Sequence, residues 1–318
     1  MKYRKLGEAA VSEIGFGTWG IGGLTEGATS YGPVDDSVSK AAIRLALDKG
    51  INFFDTSSLY GDGHSEELIG EVLCQDNCRG RAVIASKGGY IKFYGGYDLS
   101  KKNLRDSLVG SLKRLRTDYL DLYQLYNAPI EIIDEEVINT LQEFKKEGLI
   151  KEFGLSLKSP REGLRAIALG FKILQINFNM IDQRAWDCGL LDEAKKKEVK
   201  LIARTPFCFG FLTGKLGKLD FHARDHRSSW PKAQLEKWLE AAKMFDQLNE
   251  HGNRSLAVLA LKFCLTAEAV SCVIPGIQTP LDASENAAAS HWPDLTHEEI
   301  KAIRDIYQQN NFHVAATQ

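Results

Sequence analysis

The stretch INFFDTSSLYGDGHSEELIGEVLCQDNCRGRAVIAS (residues 51–86) contains a unit that recurs along this chain. It begins with the apolar run INFFDT (51–56), continues through the amphipathic run SEELIGEVL (65–73) and ends on a second apolar run, AVIAS (82–86). Short runs of β-branched and aromatic residues are typical of buried parallel strands, and the amphipathic run between them predicts a helix. The stretch is therefore interpreted as strand, helix, strand.

Six further apolar runs complete a set of eight: IGFGT (14–18), YLDLYQL (119–125), KEFGLS (151–156), KILQIN (172–177), VKLIAR (199–204) and AVSCVI (269–274). Helical patterns also occupy residues 35–50, 103–116 and 135–148, and Gly50 and Gly148 stand where C-terminal caps are expected. Alternating strands and helices form a closed barrel or a long doubly wound sheet, and the count of eight favours a (β/α)8 TIM barrel. We expect a single barrel domain over residues 1–318, with MKYRKLG (1–7) in a short hairpin across the barrel floor.

One motif points to a different fold. Gly15, Gly17 and Gly20 have the G-x-G-x-x-G spacing of a Rossmann dinucleotide loop. That loop requires a helix to begin at its last glycine, so that the helix N-terminus meets the pyrophosphate. The chain instead continues with more glycines and Pro33, so no helix is expected before about residue 35. The spacing is interpreted as coincidental, and a glycine at a strand end is expected to let the backbone approach a ligand.

Composition excludes several classes of function. A net charge of −2 with dispersed basic residues argues against nucleic acid as a partner. Residues 1–15 lack the apolar run of a signal peptide, and no window reaches 18 consecutive apolar residues, so we expect a cytoplasmic protein without a membrane span. The six dispersed cysteines predict reduced thiols, and the spacing of His222, Asp225 and His226 fits no metal site. The oligomeric state cannot be derived from the sequence.

Chemically useful side chains follow successive strands. Asp55 and Tyr60 follow the second strand, Lys87 the third, and Tyr126 and Asn127 the fourth. In a (β/α)8 barrel these positions share one mouth, where active sites lie. A lysine cation is expected to lower the pKa of the tyrosine phenol, and the aspartate to keep the lysine charged and in place. The combination predicts a proton-donating site.

The segment INFFDTSSLYGDGHSEELIGEVL resembles the signature of the aldo-keto reductase family, and VIASKGG resembles the family segment that carries its catalytic lysine. The likeness continues in order through LRDSLVGSLKRLRTDYLDLYQL, FGLS, LQINFN, ARTPFCFGFLTGK and VIPGIQTPLDASEN. The resemblance implies a reductase or dehydrogenase that acts with NADP(H) or NAD(H) on a small carbonyl substrate or the matching alcohol. It also implies that Asp55, Tyr60 and Lys87 are catalytic, with Tyr60 donating a proton as hydride reaches the carbonyl carbon.

Residue 126 departs from the family pattern. The run LYQLYNAP has a tyrosine where family members usually have a histidine that hydrogen-bonds the substrate carbonyl. Tyr126 can donate one hydrogen bond through its hydroxyl, but it cannot become a cation near neutral pH. A working substitute and a loss of catalytic function both remain open.

The resemblance also implies a cofactor site. Ser156 and Gln175 match residues that hold the nicotinamide carboxamide, Leu157 replaces the family asparagine, and Arg204 stands where many relatives stack a tyrosine on the nicotinamide. The other expected cofactor residues are Gly17, Thr18, Trp19, Asp55, Thr205, Pro206, Gly210, Leu212, Lys215, Gly276, Gln278, Asp282, Glu285 and Asn286. Relatives that prefer NADPH usually carry a cation near the 2′-phosphate, where this chain has Gln278 and Asp282. The choice between NADPH and NADH therefore stays open.

The substrate is expected among Trp19, the loop 88–98, Tyr126 and the segment after residue 215. Tyr90, Phe93 and Tyr94 suit a sugar, a cyclic ketone or an aldehyde, or they simply pack their own loop. The charged segment 221–234, which contains Pro231, is predicted to be a mobile cover on the mouth. A nicotinamide-binding regulatory protein that reports redox state with little turnover is the alternative function, and a barrel enzyme with other chemistry is the third.

Overall fold

The computed structural model describes residues 1–27, 29–93, 95–249 and 254–314. Within these residues eight parallel strands form one sheet in the order of the sequence. They are β3 (Phe16–Gly17), β4 (Phe53–Asp55), β5 (Val83–Gly88), β6 (Leu120–Tyr126), β7 (Ile150–Ser156), β8 (Ile173–Asn177), β9 (Lys200–Arg204) and β10 (Val270–Ile274). Each of the eight apolar runs overlaps one of these strands.

The sheet closes on itself between its first and last strands. Ile14 forms a parallel bridge with Val273, and Gly17 forms one with Gly276. A Cβ atom on Gly17 would lie 2.8 Å from the carbonyl oxygen of Pro275, so this close approach of two backbones requires a glycine. Closure confirms the (β/α)8 barrel and excludes the doubly wound sheet.

Helices cover the outside of the barrel in the described residues. They are α1 (Asp36–Asp48), α2 (His64–Gln75), α3 (Lys101–Leu115), α4 (Glu135–Lys146), α5 (Glu162–Ala168), α6 (Arg184–Asp187), α7 (Leu190–Lys196), α8 (Lys232–Asp246), α9 (Leu256–Leu265), α10 (Pro280–Ala288) and α11 (His297–Gln309). Asp35 caps α1 by accepting hydrogen bonds from the N–H groups of Ser37 and Val38, and Gly50 and Gly148 follow α1 and α4 at positive φ. A 3-10 turn at Trp19–Gly22 precedes α1, and no α-helix of the described chain begins at Gly20. The Rossmann spacing is therefore coincidental.

The N-terminus forms the predicted hairpin. β1 (Tyr3–Leu6) pairs antiparallel with β2 (Ala9–Ser12), and Leu6 and Val11 pack under the barrel core against Phe53, Leu122 and Ile202. The hairpin closes the end of the barrel that the functional loops do not use.

The segment 221–234 differs from the cover that we predicted. Asp225 and His226 are buried, and Asp225 forms a parallel bridge with Ser30. The carboxylate of Asp225 is paired with Arg227 at 2.6 Å, and the His226 ring packs 4.6 Å from the Trp19 ring. The mobile cover was predicted from the charged residues of this segment. Two of those charges are paired with each other, and the imidazole of His226 lies among aromatic rings, so the middle of the segment is packed in place. The middle of the segment is thus part of the barrel mouth.

Candidate active site

The four residues predicted to be catalytic meet at the C-terminal end of the barrel. Asp55 ends β4, Lys87 lies one residue before the end of β5, and Tyr126 ends β6. Tyr60 is brought over the mouth by the turn after β4, where Gly61 has a φ of +65° and a Cβ atom would collide with the carbonyl group of Gly22. A side chain at position 61 would therefore displace the turn that carries Tyr60.

The Lys87 ammonium group is completely buried and uses all three of its donors. Its Nζ lies 2.5 Å from Asp55 Oδ1, 2.8 Å from the carbonyl oxygen of Thr56 and 3.2 Å from the Tyr60 hydroxyl oxygen. A buried cation is stable only when it is paired and fully hydrogen-bonded, and this one meets both conditions. Two of the three bonds fix the ammonium group, and the third is directed at the Tyr60 hydroxyl.

The second oxygen of Asp55 is held by two amides. Gln175 Nε2 lies 2.6 Å and Gln124 Nε2 lies 3.2 Å from Asp55 Oδ2. Sequence reasoning missed Gln124, which is fully buried and whose Oε1 has no hydrogen-bond partner in the described chain. A signal was present, because Gln124 stands two residues before Tyr126, and side chains two apart on a strand point to the same face.

Tyr60 and Tyr126 form a pair of buried phenols. Their rings meet edge to face at 6.2 Å, and their hydroxyl groups hydrogen-bond each other. Burial raises the pKa of Tyr60 above its usual value, and the charge of Asp55 raises it further, while the Tyr126 hydrogen bond and Arg204 lower it. The lowered Tyr60 pKa expected from Lys87 is therefore wrong for the protein alone, because loss of hydration outweighs the Tyr126 hydrogen bond and the charge of Arg204. Burial likewise raises the pKa of Tyr126 well above its usual value.

A cavity of about 450 Å³ opens beside these phenols. Most of the residues predicted to bind cofactor line it: Gly17, Thr18, Trp19, Asp55, Gln175, Arg204, Thr205, Pro206, Gly210, Lys215, Gly276, Gln278, Asp282, Glu285 and Asn286. Ser156 and Leu212 do not line it, and both are fully buried. Tyr60, Tyr126 and Phe93 line the same cavity, whereas Lys87 lies behind Tyr60. One continuous space thus joins the acid cluster to the expected cofactor residues.

The residues expected at the nicotinamide already contact one another. The Ser156 hydroxyl lies 3.3 Å from Gln175 Oε1 and 3.2 Å from Asn127 Oδ1. Arg204 Nη2 donates to the carbonyl oxygen of Leu157 at 3.0 Å, and its buried Nε has no partner in the described chain. Gln175 connects this group to Asp55, so the expected carboxamide site and the proton donor belong to one hydrogen-bond network.

The residues expected at the adenosine end are also held by internal contacts. Lys215 pairs with Glu285 across the cavity wall, and Gln278 Nε2 donates to the carbonyl oxygen of Gly20 at 3.2 Å. The Asp282 carboxylate accepts from the N–H and the hydroxyl of Thr279 and so caps α10. A dinucleotide fits this lining, because backbone runs close to the space at Gly17 and the cationic Arg204 and Lys215 face it.

Sequence reasoning missed part of the cavity wall. Tyr31, Phe209 and Arg227 line the cavity, and Arg227 Nη1 lies 3.4 Å from the point where a Cβ atom on Gly210 would stand. Arg227 supplies a cation that the sequence analysis did not place near the cofactor residues. These residues lie in loops that showed no periodic pattern, so only the folded arrangement reveals them.

The aromatic loop after β5 takes part in two arrangements. Tyr90 stacks on Tyr97 at 4.9 Å and meets the Tyr126 ring edge to face at 5.6 Å, while Phe93 reaches the cavity. The loop therefore packs on itself and also buttresses Tyr126. Tyr94 lies outside the described residues.

No cluster of metal-ligating side chains occurs in the part of the chain that the structure describes. The Asp225 carboxylate is paired with the Arg227 guanidinium, and His226 Nδ1 lies 3.2 Å from the carbonyl oxygen of Ser30. Burial lowers the pKa of His226 to about 4, so this imidazole is neutral at pH 7. Among the described helices none is long and apolar enough to cross a membrane.

Comparison with known proteins agrees with this geometry. The model of the "Aldo/keto reductase family" matches residues 13–308. An "Uncharacterized oxidoreductase YqkF" of Bacillus subtilis is 30% identical over 98% of this chain and 98% of its own, and the "L-glyceraldehyde 3-phosphate reductase" of Escherichia coli K12 is 29% identical over 95% and 91%. The solved structure of "the glycerol dehydrogenase AKR11B4 from Gluconobacter oxydans" is 28% identical and superposes with a TM-score of 0.80 over 99% of this chain and 98% of that one.

Proposed function

The chain belongs to the aldo/keto reductase family, and from this membership we propose a reaction in which Tyr60 is the proton donor. The protein is an oxidoreductase that uses NADP(H) or NAD(H) on a small carbonyl compound or the matching alcohol. When bound, the reduced nicotinamide supplies a hydride to the carbonyl carbon. The protein's own residues must then bind the carbonyl oxygen and deliver a proton to it.

The contact between Lys87 Nζ and the Tyr60 hydroxyl oxygen, at 3.2 Å, carries this proposal. The Tyr60 oxygen accepts from Lys87 and also from Tyr126, so its own hydrogen is left for a group in the cavity. As that proton leaves, the phenolate is stabilised by two donors that are already in position. Asp55 pairs with Lys87 and orients it, so Asp55 acts one step away from the substrate.

We assign Tyr126 a supporting part in proton transfer. Its hydroxyl bonds Tyr60 and lines the cavity, so it is placed to stabilise the Tyr60 phenolate and stands beside any carbonyl oxygen that Tyr60 serves. This favours a working substitute for the family histidine over a loss of function. The alternative of a redox-reporting regulatory protein gains no support from the cavity or from the relatives.

We also propose the finer assignments that the sequence suggested. Ser156, Gln175 and Arg204 surround the nicotinamide, and the residues from Gly210 to Lys215 and from Gly276 to Asn286 hold the remainder of the dinucleotide, with Leu212 contributing through its backbone. Residues 1–318 are one barrel domain in the cytoplasm. Names of relatives refer to glycerol and to L-glyceraldehyde 3-phosphate, so three-carbon aldehydes and alcohols are sensible first probes.

The proposal is tested by substituting Tyr60. The Tyr60→Phe variant is expected to lose at least about 100-fold in kcat, because positioned acid catalysis supplies roughly 10²–10⁴-fold. Its affinity for NADPH and NADH should be nearly unchanged, measured by quenching of tryptophan fluorescence. Retention of more than about a tenth of the activity with DL-glyceraldehyde would show that another group donates the proton.

A further inference from the structure

Tyr31 is a rigid part of the cavity wall. It follows the glycine-rich stretch after β3 and lines the same space as Tyr60. The Trp19 ring lies 5.1 Å and the His226 ring 4.7 Å from it, both edge-on, and Arg227 Cζ lies 4.8 Å from its centroid. Contacts on three sides fix the ring, so the direction of the hydroxyl is set by the protein before a ligand enters.

The backbone before Tyr31 is fastened in the same way. The N–H of His226 donates to the carbonyl oxygen of Ser30 at 2.8 Å, and His226 Nδ1 lies 3.2 Å from that oxygen. Ser30 also bridges Asp225, which Arg227 holds with a 2.6 Å ion pair. These contacts tie the loop that carries Tyr31 to the segment 221–230.

The Tyr31 hydroxyl differs from the other tyrosine hydroxyls at the cavity. Tyr60 is bonded by Lys87, and Tyr126 is bonded to Tyr60, whereas the Tyr31 hydroxyl has no hydrogen-bond partner among the described residues. Burial raises the pKa of Tyr31, so this hydroxyl stays protonated and is available as a donor. Tyr31 is half-buried and lines the cavity, so the partner of this hydroxyl comes from water or from a ligand in the cavity.

Tyr31 also faces the reacting end of the cavity. It is close enough to Tyr60 to contribute to the upward shift of the Tyr60 pKa. Trp19 joins the two residues, since its ring lies 5.1 Å from Tyr31 and 6.4 Å from Tyr60. A molecule whose carbonyl oxygen meets Tyr60 therefore has Tyr31 beside the rest of its carbon chain.

Resting on the proposed function, we propose that Tyr31 binds a hydroxyl group of the substrate and selects hydroxylated carbonyl compounds. Tyr60 meets the carbonyl oxygen, Tyr31 meets a hydroxyl further along the chain, and the faces of Trp19 and Phe93 cover the carbon skeleton. In the opposite direction the same two contacts select vicinal diols over simple alcohols. The preferred substrates are thus small hydroxyaldehydes, hydroxyketones and the corresponding diols.

The test compares three aldehydes on one three-carbon frame. Propanal, lactaldehyde and glyceraldehyde carry none, one and two hydroxyl groups, and each is reduced by the wild-type protein and the Tyr31→Phe variant at saturating NADPH. Wild-type kcat/KM is expected to rise on the order of tenfold from propanal to the hydroxylated pair, which is the value of one well-placed hydrogen bond. Tyr31→Phe keeps the ring contacts and should remove that rise, while the rate with propanal changes less than about twofold.

Matched measurements separate this inference from its alternatives. Tyr3→Phe removes a hydroxyl that bonds the carbonyl oxygen of Gly50 on the exposed barrel floor, and it should leave all three rates unchanged. A loss shared equally by the three aldehydes in Tyr31→Phe, or a weaker affinity for NADPH in fluorescence titration, would assign Tyr31 to the cofactor and overturn the inference. Equal wild-type kcat/KM for propanal and glyceraldehyde would overturn it as well. Each of these results leaves the proposed function intact, because that function fails separately if Tyr60→Phe stays active.

Discussion

Tyr126→Phe is the substitution that most directly tests the part that Tyr126 plays in this site. The variant keeps the ring contacts with Tyr60 at 6.2 Å and with Tyr90 at 5.6 Å, and it removes one hydroxyl group. In the folded protein that hydroxyl is bonded to the Tyr60 oxygen, which becomes a phenolate when it gives up its proton. The substitution therefore removes a donor that matters more in the transition state than in the ground state.

The size of the effect follows from the charge that develops on Tyr60. A hydrogen bond to a charged acceptor is worth roughly 1.5–3 kcal/mol, so kcat should fall on the order of 10- to 150-fold. Loss of the donor should also raise the Tyr60 pKa further. Cofactor affinity should stay constant, since the hydroxyl acts on Tyr60. Initial rates with DL-glyceraldehyde and saturating NADPH measure kcat, and quenching of tryptophan fluorescence measures cofactor affinity.

Tyr123→Phe is the matched control on the same strand. Tyr123 is fully buried, and its hydroxyl donates to the carbonyl oxygen of Leu104 at 3.2 Å, on the helix side of the barrel. This variant should keep its kcat and its pH profile. If Tyr126→Phe also keeps kcat within about twofold, Tyr126 does not assist Tyr60, and the reasoning from their hydrogen bond is wrong. Tyr126→His should remain active and gain a pH dependence near neutrality, because imidazole titrates there.

Three further predictions concern the support of the site. Gln124→Met removes a donor from Asp55 and should lower kcat several-fold, up to about tenfold, with unchanged cofactor affinity. Gln183→Met is the control, because the Gln183 amide is also buried but bonds the carbonyl oxygen of Met180. Equal losses of kcat in both variants would contradict the role of Gln124 in holding Asp55. Gln278→Arg should raise the affinity for NADPH relative to NADH on the order of tenfold, as measured by calorimetric titration. A thousandfold preference for NADPH in the wild-type protein would mean that Arg227 or Lys215 already reaches the 2′-phosphate. Burial lowers the pKa of His226 from 6.5 to about 4, so the stability that its neutral ring contributes is present above pH 6.5 and is lost as pH falls to 4, about 3 kcal/mol in all. In denaturant unfolding, the free energy of unfolding of His226→Phe should therefore decline less steeply over that pH range than that of the wild type. Parallel declines would contradict the burial of the neutral ring.

The parts of the site that follow from strand endings could be predicted from sequence. Asp55, Lys87 and Tyr126 stand at the ends of apolar runs, and a closed barrel brings those ends to one mouth whatever the loops do. Gln124 escaped notice because it lies inside a strand, where a polar side chain has no local signature until its partner is known. The direction of the Tyr60 pKa shift was also mispredicted. Burial decides that shift, and the burial of Tyr60 depends on all the loops above the barrel, which the sequence does not position.

Tyr31 and Arg227 mark the limit of local reasoning. The carbonyl oxygen of Ser30 and the His226 ring that contacts it are 196 residues apart in the chain. Neither loop has hydrophobic periodicity, so neither predicts its own conformation or its partner. Their association is dictated by the aromatic surface of Trp19 and by the internal pairing of Asp225 with Arg227, which become visible only once the barrel has brought both loops to its mouth.

A tyrosine at residue 126 has an electrostatic consequence for the whole cluster. Asp55 and Lys87 neutralise each other at 2.5 Å, and Tyr60 and Tyr126 are both neutral because burial raises their pKa values. The nearby imidazole of His226 also stays uncharged down to about pH 4. Histidine at this position would add a positive charge to the cluster as pH falls below about 6.5, because its imidazole would become protonated. Here neither phenol ionises near neutral pH, so the acidity of Tyr60 depends on its fixed donors and on the bound cofactor.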